Sequence, residues 1–500
     1  MQSSLRQMRR GAILALVCGA QFMVVLDLAV VNVALPSIQG DLHVAQPDLQ
    51  WVVITYGLTF GGLLLLGGRA ADLIGRRKVL VAGLVVFTAA SLAAGLAGSL
   101  ELLVAARAGQ GVGAALTAPA ALSILANTFA EGAERNKALG LFGAIGGSAA
   151  SVGVILSGAL TSGPGWEWVF LVNVPIGVVL VSLVLRFVPA GPPAQRGPAD
   201  LLGGVAVTAG LMAIVYAINK SVDHGWTSST TLGFLAGGAA LLGLFVLVEA
   251  RTASPLLPLS MFRRRTLTTA NVVTVLVSGS FLATIYQASL FMQQVLRYSA
   301  LRTGVAYLAM ATTALVVAGA VAARVVDRRG AATALVIGQL CSAGGLLHLS
   351  RVPADAAYWS DVFPGFFAVG VGIGFSGMAA QVAAFIGIEE RVAGLAGGMV
   401  ETAREVGGAL GIAVVATVAL ARIDDVLGSD PGAGRAYALT EGFQRAALLA
   451  AALNVVGVAA AALLLRPAER RAAAAAAAAP VEEYPVDAAE LSGAMARLPE

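Results

Sequence analysis

The sequence predicts an all-α integral membrane protein of about fourteen helical spans. Three observations carry that prediction: the composition, the spacing of the apolar runs and the placement of the positive charges. Of the 500 residues, 58% are hydrophobic and only 12% are charged. A soluble domain carries roughly 25% charged residues, because its surface must be covered with charge. A bilayer removes that demand. The 60 glycines fit the same setting, since glycine lets membrane helices approach closely.

Each span needs about 20 apolar residues. The first run, 11–35, follows Arg9 and Arg10; it is too long for a signal-peptide core and lacks a convincing cleavage site. Runs at 51–70, 79–98, 101–127, 137–160 and 168–188 complete a first group of six, after a short N-terminus at 1–10. Two further runs, 200–219 and 230–249, make a pair over 200–250, and a basic linker covers 251–266. The second group of six reads 267–292, 303–324, 331–350, 359–386, 394–421 and 444–465, within 267–466. The longest connection is 422–443. The tail, 467–500, holds an eight-alanine run from Ala472 to Ala479 and reads as low-complexity chain.

Placing the N-terminus in the cytoplasm puts 23 of the 32 Lys and Arg in cytoplasmic segments, seven outside and two, Arg107 and Arg404, within spans. That bias sets orientation. It implies an even number of spans, both termini cytoplasmic, in the inner (plasma) membrane. It also accounts for the net charge of +4 without a nucleic-acid partner. Cys18 and Cys341 both fall within spans, so neither a disulfide framework nor a metal cluster is expected. His43, His224 and His348 fall in loops or near span ends and make poor proton relays.

The chain repeats itself. Arg69-Ala-Ala-Asp72-Leu-Ile-Gly75 recurs as Arg324-Val-Val-Asp327-Arg-Arg-Gly330, an offset of 255. Glu134-Arg135 recurs as Glu390-Arg391, offset 256, and Gly111-Val-Gly113 as Gly370-Val-Gly372, offset 259. Three near-equal offsets at matching loop and span positions imply two six-span halves with an inserted pair. Parallel halves of this kind place a binding site between them at mid-membrane.

The motifs narrow the reading. The loop Gly68-Arg69-Ala70-Ala71-Asp72-Leu73-Ile74-Gly75-Arg76-Arg77-Lys78 resembles the loop signature of the major facilitator superfamily. Leu26-Asp27 through Asn32 to Pro36 resembles the first-span signature of its fourteen-span drug:proton antiporters, the EmrB/QacA-like family, with Ala29 in place of the usual threonine. Leu103 to Gly113, with Arg107, Gln110 and Gly111, resembles the fourth-span motif that the family links to proton coupling. Trp166-Glu167-Trp168 through Asn173 to Gly177 resembles the start of its sixth span, with Glu167 where arginine is usual. The fifth span departs further. Gly147 to Gly158 lacks the proline of the exporters' Gly-Pro pair and has serine for one glycine of their Gly-Gly pair, while its small residues still allow a close helix contact. The resemblance covers roughly 11–466 and implies the major facilitator fold.

In the loop, a carboxylate at a helix end can meet cations in one conformation and lose them in another. Arg69, Asp72, Gly75 and Arg76 are the latch candidates, with Asp327 in the second copy. Arg76, Arg77 and Lys78 also read as simple topology anchors.

Ionisable groups within spans are costly and so mark function. Asp27 lies about 24 Å along its span and Arg107 about 9 Å from the outer end of its own. Both fall in the outer half of a core near 30 Å and can meet. The arginine favours the ionised carboxylate and burial favours the neutral acid, so the pair suits proton loading and release; the alternative is a static ion pair. In the thirteenth span Glu401 and Glu405 share a helix face flanked by Arg404. One arginine cannot balance two carboxylates, which leaves one for a proton or a cationic substrate. The alternative is a structural cluster. Gln110, Gly111, Asn271, Gln287 and Arg404 are cavity candidates, although such amides, with Gln293 and Gln294, more often join helices.

The resemblance implies proton-coupled antiport of drug-like small molecules, apolar or cationic, by alternating access. Its partners would be substrate, protons and membrane lipid, with no cofactor beyond the proton motive force and no ATPase subunit. None of Lys78, Lys137 and Lys220 follows a glycine, so no phosphate loop is present. Two alternatives stay open. Proton-coupled uptake of a small solute would be separated by accumulation with and without an uncoupler. A non-transport scaffold, or the permease of an ATP-driven pump, would be excluded by transport in liposomes. No nucleophile–base constellation supports an enzyme.

Overall fold

The computed structural model describes residues 2–129, 133–189, 201–252, 255–386, 388, 390–429 and 434–471. The run Ala472–Ala479, the rest of the tail and the segment around Arg196 lie outside the described residues. Fourteen long helices cross the described chain. The first six are α1 (Gln2–Asp41), α2 (Trp51–Ile74), α3 (Arg76–Gly95), α4 (Leu100–Thr128), α5 (Ala133–Ser162) and α6 (Asn173–Phe187), the last preceded by a turn of helix at Trp168–Leu171. The pair α7 (Leu201–His224) and α8 (Ser229–Arg251) follows. The second six are α9 (Arg265–Leu290), α10 (Ala300–Val316, continued through Arg329), α11 (Ala331–Leu349), α12 (Phe363–Phe385), α13 (Glu390–Ser429) and α14 (Arg435–Ala460). Thirteen spans are long and apolar enough to cross a membrane among the described residues; the remaining helix, α5, runs for 30 residues. The chain is a multi-pass membrane protein.

The two repeated loops share one backbone device. Gly75 and Gly330 both have positive φ, 108° and 84°, where a side chain is strained. Each glycine ends one helix and starts the next without a connecting loop.

The connection expected at 422–443 is largely helical. Helix α13 continues to Ser429 and α14 begins at Arg435. Arg422 binds Asp425 at 2.6 Å and Glu441 at 2.8 Å, so polar side chains carry both helices past their apolar stretches.

Calling the end where α1 starts the near end, the halves keep separate cores there. One is built from residues between Ile13 and Val188. The other runs from Leu257 to Leu465, with Leu65 at its margin. At the far end a single core joins Leu26, Val30 and Ile54 to Tyr286, Leu290, Ala409 and Ile412 of the second half. Hydrogen bonds reinforce this seal. Pro36 has no N–H and so frees the carbonyl of Asn32 within α1. Ser289 of α9 donates to that carbonyl at 2.7 Å. Gln293 donates to the Val33 carbonyl at 2.9 Å and Gln294 to Gln39 at 2.6 Å. The glutamines at this end are therefore interhelical ties. Gly158 of α5 lies against Ala300 and Leu301 at the same end.

Helix α7 packs on both α2 and α13, one from each half. Thr208 rests on Gly62, and Gly204 on Leu66. Helix α8 packs chiefly on α7; Phe245 also meets the second-half core, and Glu249 accepts from the Leu257 N–H at 3.1 Å.

Within the second half, α9 and α13 cross through Gly279, Gly407 and Gly411. A Cβ at Gly407 would lie 2.5 Å from the Val275 Cα, and one at Gly411 would run into the Gly279 backbone. Gly411→Val is expected to cost about 1–3 kcal/mol through overpacking, read as a lowered thermal midpoint of the purified protein. An unchanged midpoint would show that this crossing tolerates a side chain.

Candidate functional site

Two charged clusters lie inside the helix bundle, and α2 touches both. The first centres on Asp27 of α1 and Arg107 of α4, each fully buried. Arg107 Nη1 donates to Asp27 Oδ2 at 2.5 Å and to Gln110 Oε1 at 2.8 Å, and Nε donates to the Val52 carbonyl at 2.8 Å. The guanidinium also lies 4.3 Å from the centre of the Tyr56 ring. Gln110 stands one turn from Arg107 on the same face. Its Nε2 donates at 2.8 Å to Asp27 Oδ1 and to Ser91 of α3. Asn173, the first residue of α6, donates to Asp27 Oδ1 at 2.8 Å. Five helices of the first half, α1, α2, α3, α4 and α6, thus contribute to this cluster, and both oxygens of the Asp27 carboxylate are paired.

Gly111 takes part in a different way from that expected. It packs against α2: a Cβ there would meet the Thr59 hydroxyl and lie 2.7 Å from the Tyr56 carbonyl. Its smallness seats α4 on α2, which brings Arg107 to the Val52 carbonyl.

The second cluster lies on α13. Arg404 Nη2 binds Glu401 and, at 3.1 Å, Glu405. Side-chain exposure rises from 2% at Glu405 to 26% at Glu401 and 43% at Arg404. Glu405 is therefore the enclosed member, and the cluster opens toward the near end. Glu405 rests on α2 glycines: a Cβ at Gly61 would lie 2.8 Å from the Glu405 Cβ, and one at Gly57 3.5 Å from its carbonyl. Glu405 Oε2 is buried with no hydrogen-bond partner among the described residues.

The two clusters are close. Tyr56, stacked on Arg107, lies five residues from Gly61, about 7.5 Å along α2. It sits within electrostatic reach of Asp27, Arg107, Glu405 and Arg404. Three carboxylates and two guanidinium groups leave the joint site a formal charge of −1. A site of that charge, enclosed at Asp27 and Glu405, can take up one proton or one monovalent cation.

The latch candidates lie elsewhere, at the near end. Asp72 is half-buried and makes no ion pair among the described residues. Arg77 donates to the Leu185 carbonyl at 2.5 Å, tying α3 to α6. Asp327 is exposed. In the second half the corresponding tie has opposite polarity: Glu469 accepts from the Ala331 and Ala332 N–H groups at 2.7 and 3.1 Å. Arg69, in the last turns of α2, and Arg76, directly after Gly75, are both half-buried.

Other candidates stand apart from both clusters. Asn271 is buried and donates to the Leu267 carbonyl of its own helix at 2.9 Å. Gln287 lines a small enclosed cavity with Thr284, Val415 and Phe443. Asn173, Ser91 and Tyr56 belong to the first cluster but were not singled out from the sequence. Asn173 had one available signal, an amide inside the quoted sixth-span motif.

Residues 17–412 match the family profile of the Major Facilitator Superfamily. The chain is 40% identical to a cephamycin export protein of Amycolatopsis lactamdurans, over 81% of this chain and 84% of that one. It is 38% identical to a puromycin resistance protein of Streptomyces alboniger, over 81% of each. It is 33% identical to a tetracenomycin C resistance and export protein of Streptomyces glaucescens, over 85% and 78%. The fold resembles that of a bacterial homolog of the human lysosomal transporter Spinster, with a TM-score of 0.66 at 14% identity, over 93% of this chain and 98% of that one.

Proposed function

The chain belongs to the Major Facilitator Superfamily, and on that premise we propose that it is a proton-coupled antiporter that exports drug-like small molecules by alternating access. The observation that carries this reading is the joint site of formal charge −1, in which Tyr56 of α2 lies within electrostatic reach of both Asp27 and Glu405. A proton and a cationic or polar-headed substrate compete for the same charge, so binding one favours release of the other. Tyr56 and Phe60 belong to an apolar core beside the site, and apolar surroundings of that kind suit the remainder of a drug-like molecule. The exported or resisted compounds named for the relatives are antibiotics, and antibiotic-like molecules are the substrate class proposed here.

In this arrangement the near end faces the cytoplasm of a cell with an inner membrane, and both termini lie there. The far-end seal and the separate near-end cores support the reading of a cytoplasm-facing state. Proton entry from the other side requires the seal of Asn32, Gln39, Ser289 and Gln294 to open. For a neutral substrate, one proton moved through 100 mV supplies about 2.3 kcal/mol, which sustains roughly a 50-fold substrate gradient; exchange of one proton for one monovalent cation moves no net charge and draws on the pH difference alone. Neither nucleotide nor partner subunit is required. The test is efflux from expressing cells across chemically diverse antibiotics, with and without an uncoupler. Expression that lowers accumulation of at least one compound, reversed by the uncoupler, is expected. Uptake in place of efflux would overturn the direction.

Asp72, with no ion pair among the described residues, fits a latch that fastens in the opposite state, when the near end closes. Asp72→Asn is therefore expected to slow turnover several-fold while leaving substrate affinity within about twofold, because it acts on the equilibrium between states. Wild-type turnover in that variant would remove the latch. Asp327→Asn is expected to be milder, since Glu469 already anchors the second loop.

A further inference from the structure

We propose that Asn173 is the positioning residue that lets Asp27 exist in both charge states: its amide donates to the ionised carboxylate and, turned over, accepts from the protonated one. This deepens the proton-coupling proposal and rests on it.

A protonated carboxyl deep in the bundle gains an O–H that must find an acceptor, or it bears the full desolvation of an unpaired donor. The groups around Asp27 differ in their ability to supply one. Arg107 has donors only. Gln110 is pinned at both ends: its Oε1 accepts from Arg107 at 2.8 Å while its Nε2 bridges Asp27 and Ser91. Ser91 is already turned toward Gln110. Asn173 is fully buried, and its Nδ2 donates to Asp27 Oδ1 at 2.8 Å. Its Oδ1 is buried with no partner among the described residues. Of the two amides on this carboxylate, Asn173 is the one that holds an acceptor in reserve.

The exchange is simple. A proton delivered by water bonds to Asp27 Oδ1. The Asn173 amide rotates half a turn about its Cβ–Cγ bond, and its Oδ1 accepts the new O–H. Its Nδ2 takes the place its oxygen held, so one end of the amide is paired in either state. Loss of the proton reverses the rotation.

Two features of the surroundings permit this. Asn173 stands at a break in the sixth span, between the Trp168–Leu171 turn and α6. Pro175 lacks the N–H that would pair the Leu171 carbonyl and so weakens helical continuity there. Neutralising Asp27 also does not strand Arg107, which keeps the Val52 carbonyl, Gln110 Oε1 and the Tyr56 ring face. The charged and titratable groups facing this point are Asp27 from α1, Arg107 from α4 and Tyr56 from α2, with Glu405 and Arg404 of α13 in reach through Tyr56. The neighbours from α3 are Ser91 and Thr88, which carry no charge.

The test needs no knowledge of the substrate. Infrared difference spectra between acidic and neutral pH are recorded on the purified full chain, with and without heavy-nitrogen-labelled asparagine. Protonation of Asp27 is expected to give a carboxyl C=O band that is lost in Asp27→Asn. A side-chain amide band that shifts with the label is expected alongside it, and is expected to be lost in both Asp27→Asn and Asn173→Leu. A carboxyl band without any label-sensitive amide band, or an amide band that survives Asn173→Leu, would overturn the role of Asn173 while leaving Asp27 as the proton site. Absence of the carboxyl band would overturn the reading of Asp27 itself. Should Asn173→Leu not fold, the comparison of labelled wild type with Asp27→Asn decides alone: an amide band that persists without the Asp27 carboxyl overturns the proposal.

Discussion

Asp27→Asn is expected to abolish proton-driven export. The asparagine keeps the size of the side chain and can still meet Arg107 and Gln110 through its carbonyl, but it cannot take up or release a proton at neutral pH. The gradient of a neutral substrate that one proton sustains at 100 mV, about 50-fold, should fall to none. Removing one member of a buried ion pair destabilises a protein by about 3–5 kcal/mol when the other is left uncompensated. Here the loss should be smaller, because Arg107 retains the Val52 carbonyl, Gln110 and the Tyr56 ring. Vesicle transport by variant protein that elutes as a monodisperse, folded species is the measurement. Asp27→Glu, which keeps the charge, separates loss of protonation from loss of shape. Full gradients sustained by Asp27→Asn would show that Asp27 and Arg107 form a static pair.

Glu405→Gln is expected to abolish export of cationic compounds while sparing neutral ones. The substitution leaves Arg404 balanced by Glu401 alone, and the joint site then carries no net charge. A cation about 4 Å from the lost charge forfeits between about 1 and 4 kcal/mol, from water-like to partly buried surroundings, so its affinity should fall at least about fivefold. Glu401→Gln should have the smaller effect. Glu401 is 26% exposed against 2% for Glu405, and water screens what it contributes. Side-by-side efflux of one cationic and one neutral compound by each variant is the measurement. Undiminished export of the cation by both variants would leave the cluster a structural one.

Much of this architecture was legible in the sequence because membrane helices announce themselves by length and apolarity. The same transparency applies to charges within spans. Asp27, Arg107, Glu401, Arg404 and Glu405 stand out because a bilayer makes such groups rare, and the structure places them in two clusters. The internal repeat also marked Gly75 and Gly330, whose positive φ explains why the loops share a glycine. Other features had no such signal. Asn173 and Ser91 are polar but uncharged, and many such residues only join helices; what distinguishes them is the partner they face, which helical periodicity does not specify. Gly111 reads equally well as a cavity liner and as a contact point until α2 is placed against it. The polar stretch after Arg422 reads as a loop because its helix is held by ion pairs to Asp425 and Glu441, not by apolar periodicity.

Proton coupling is tested most directly by reconstitution. Purified protein in liposomes, given an imposed pH gradient and an antibiotic that expressing cells export, should accumulate that antibiotic against its concentration without ATP. Accumulation should collapse on addition of an uncoupler and be absent in Asp27→Asn. Accumulation that persists without the gradient, or that Asp27→Asn leaves intact, would contradict proton-driven export through the Asp27 cluster.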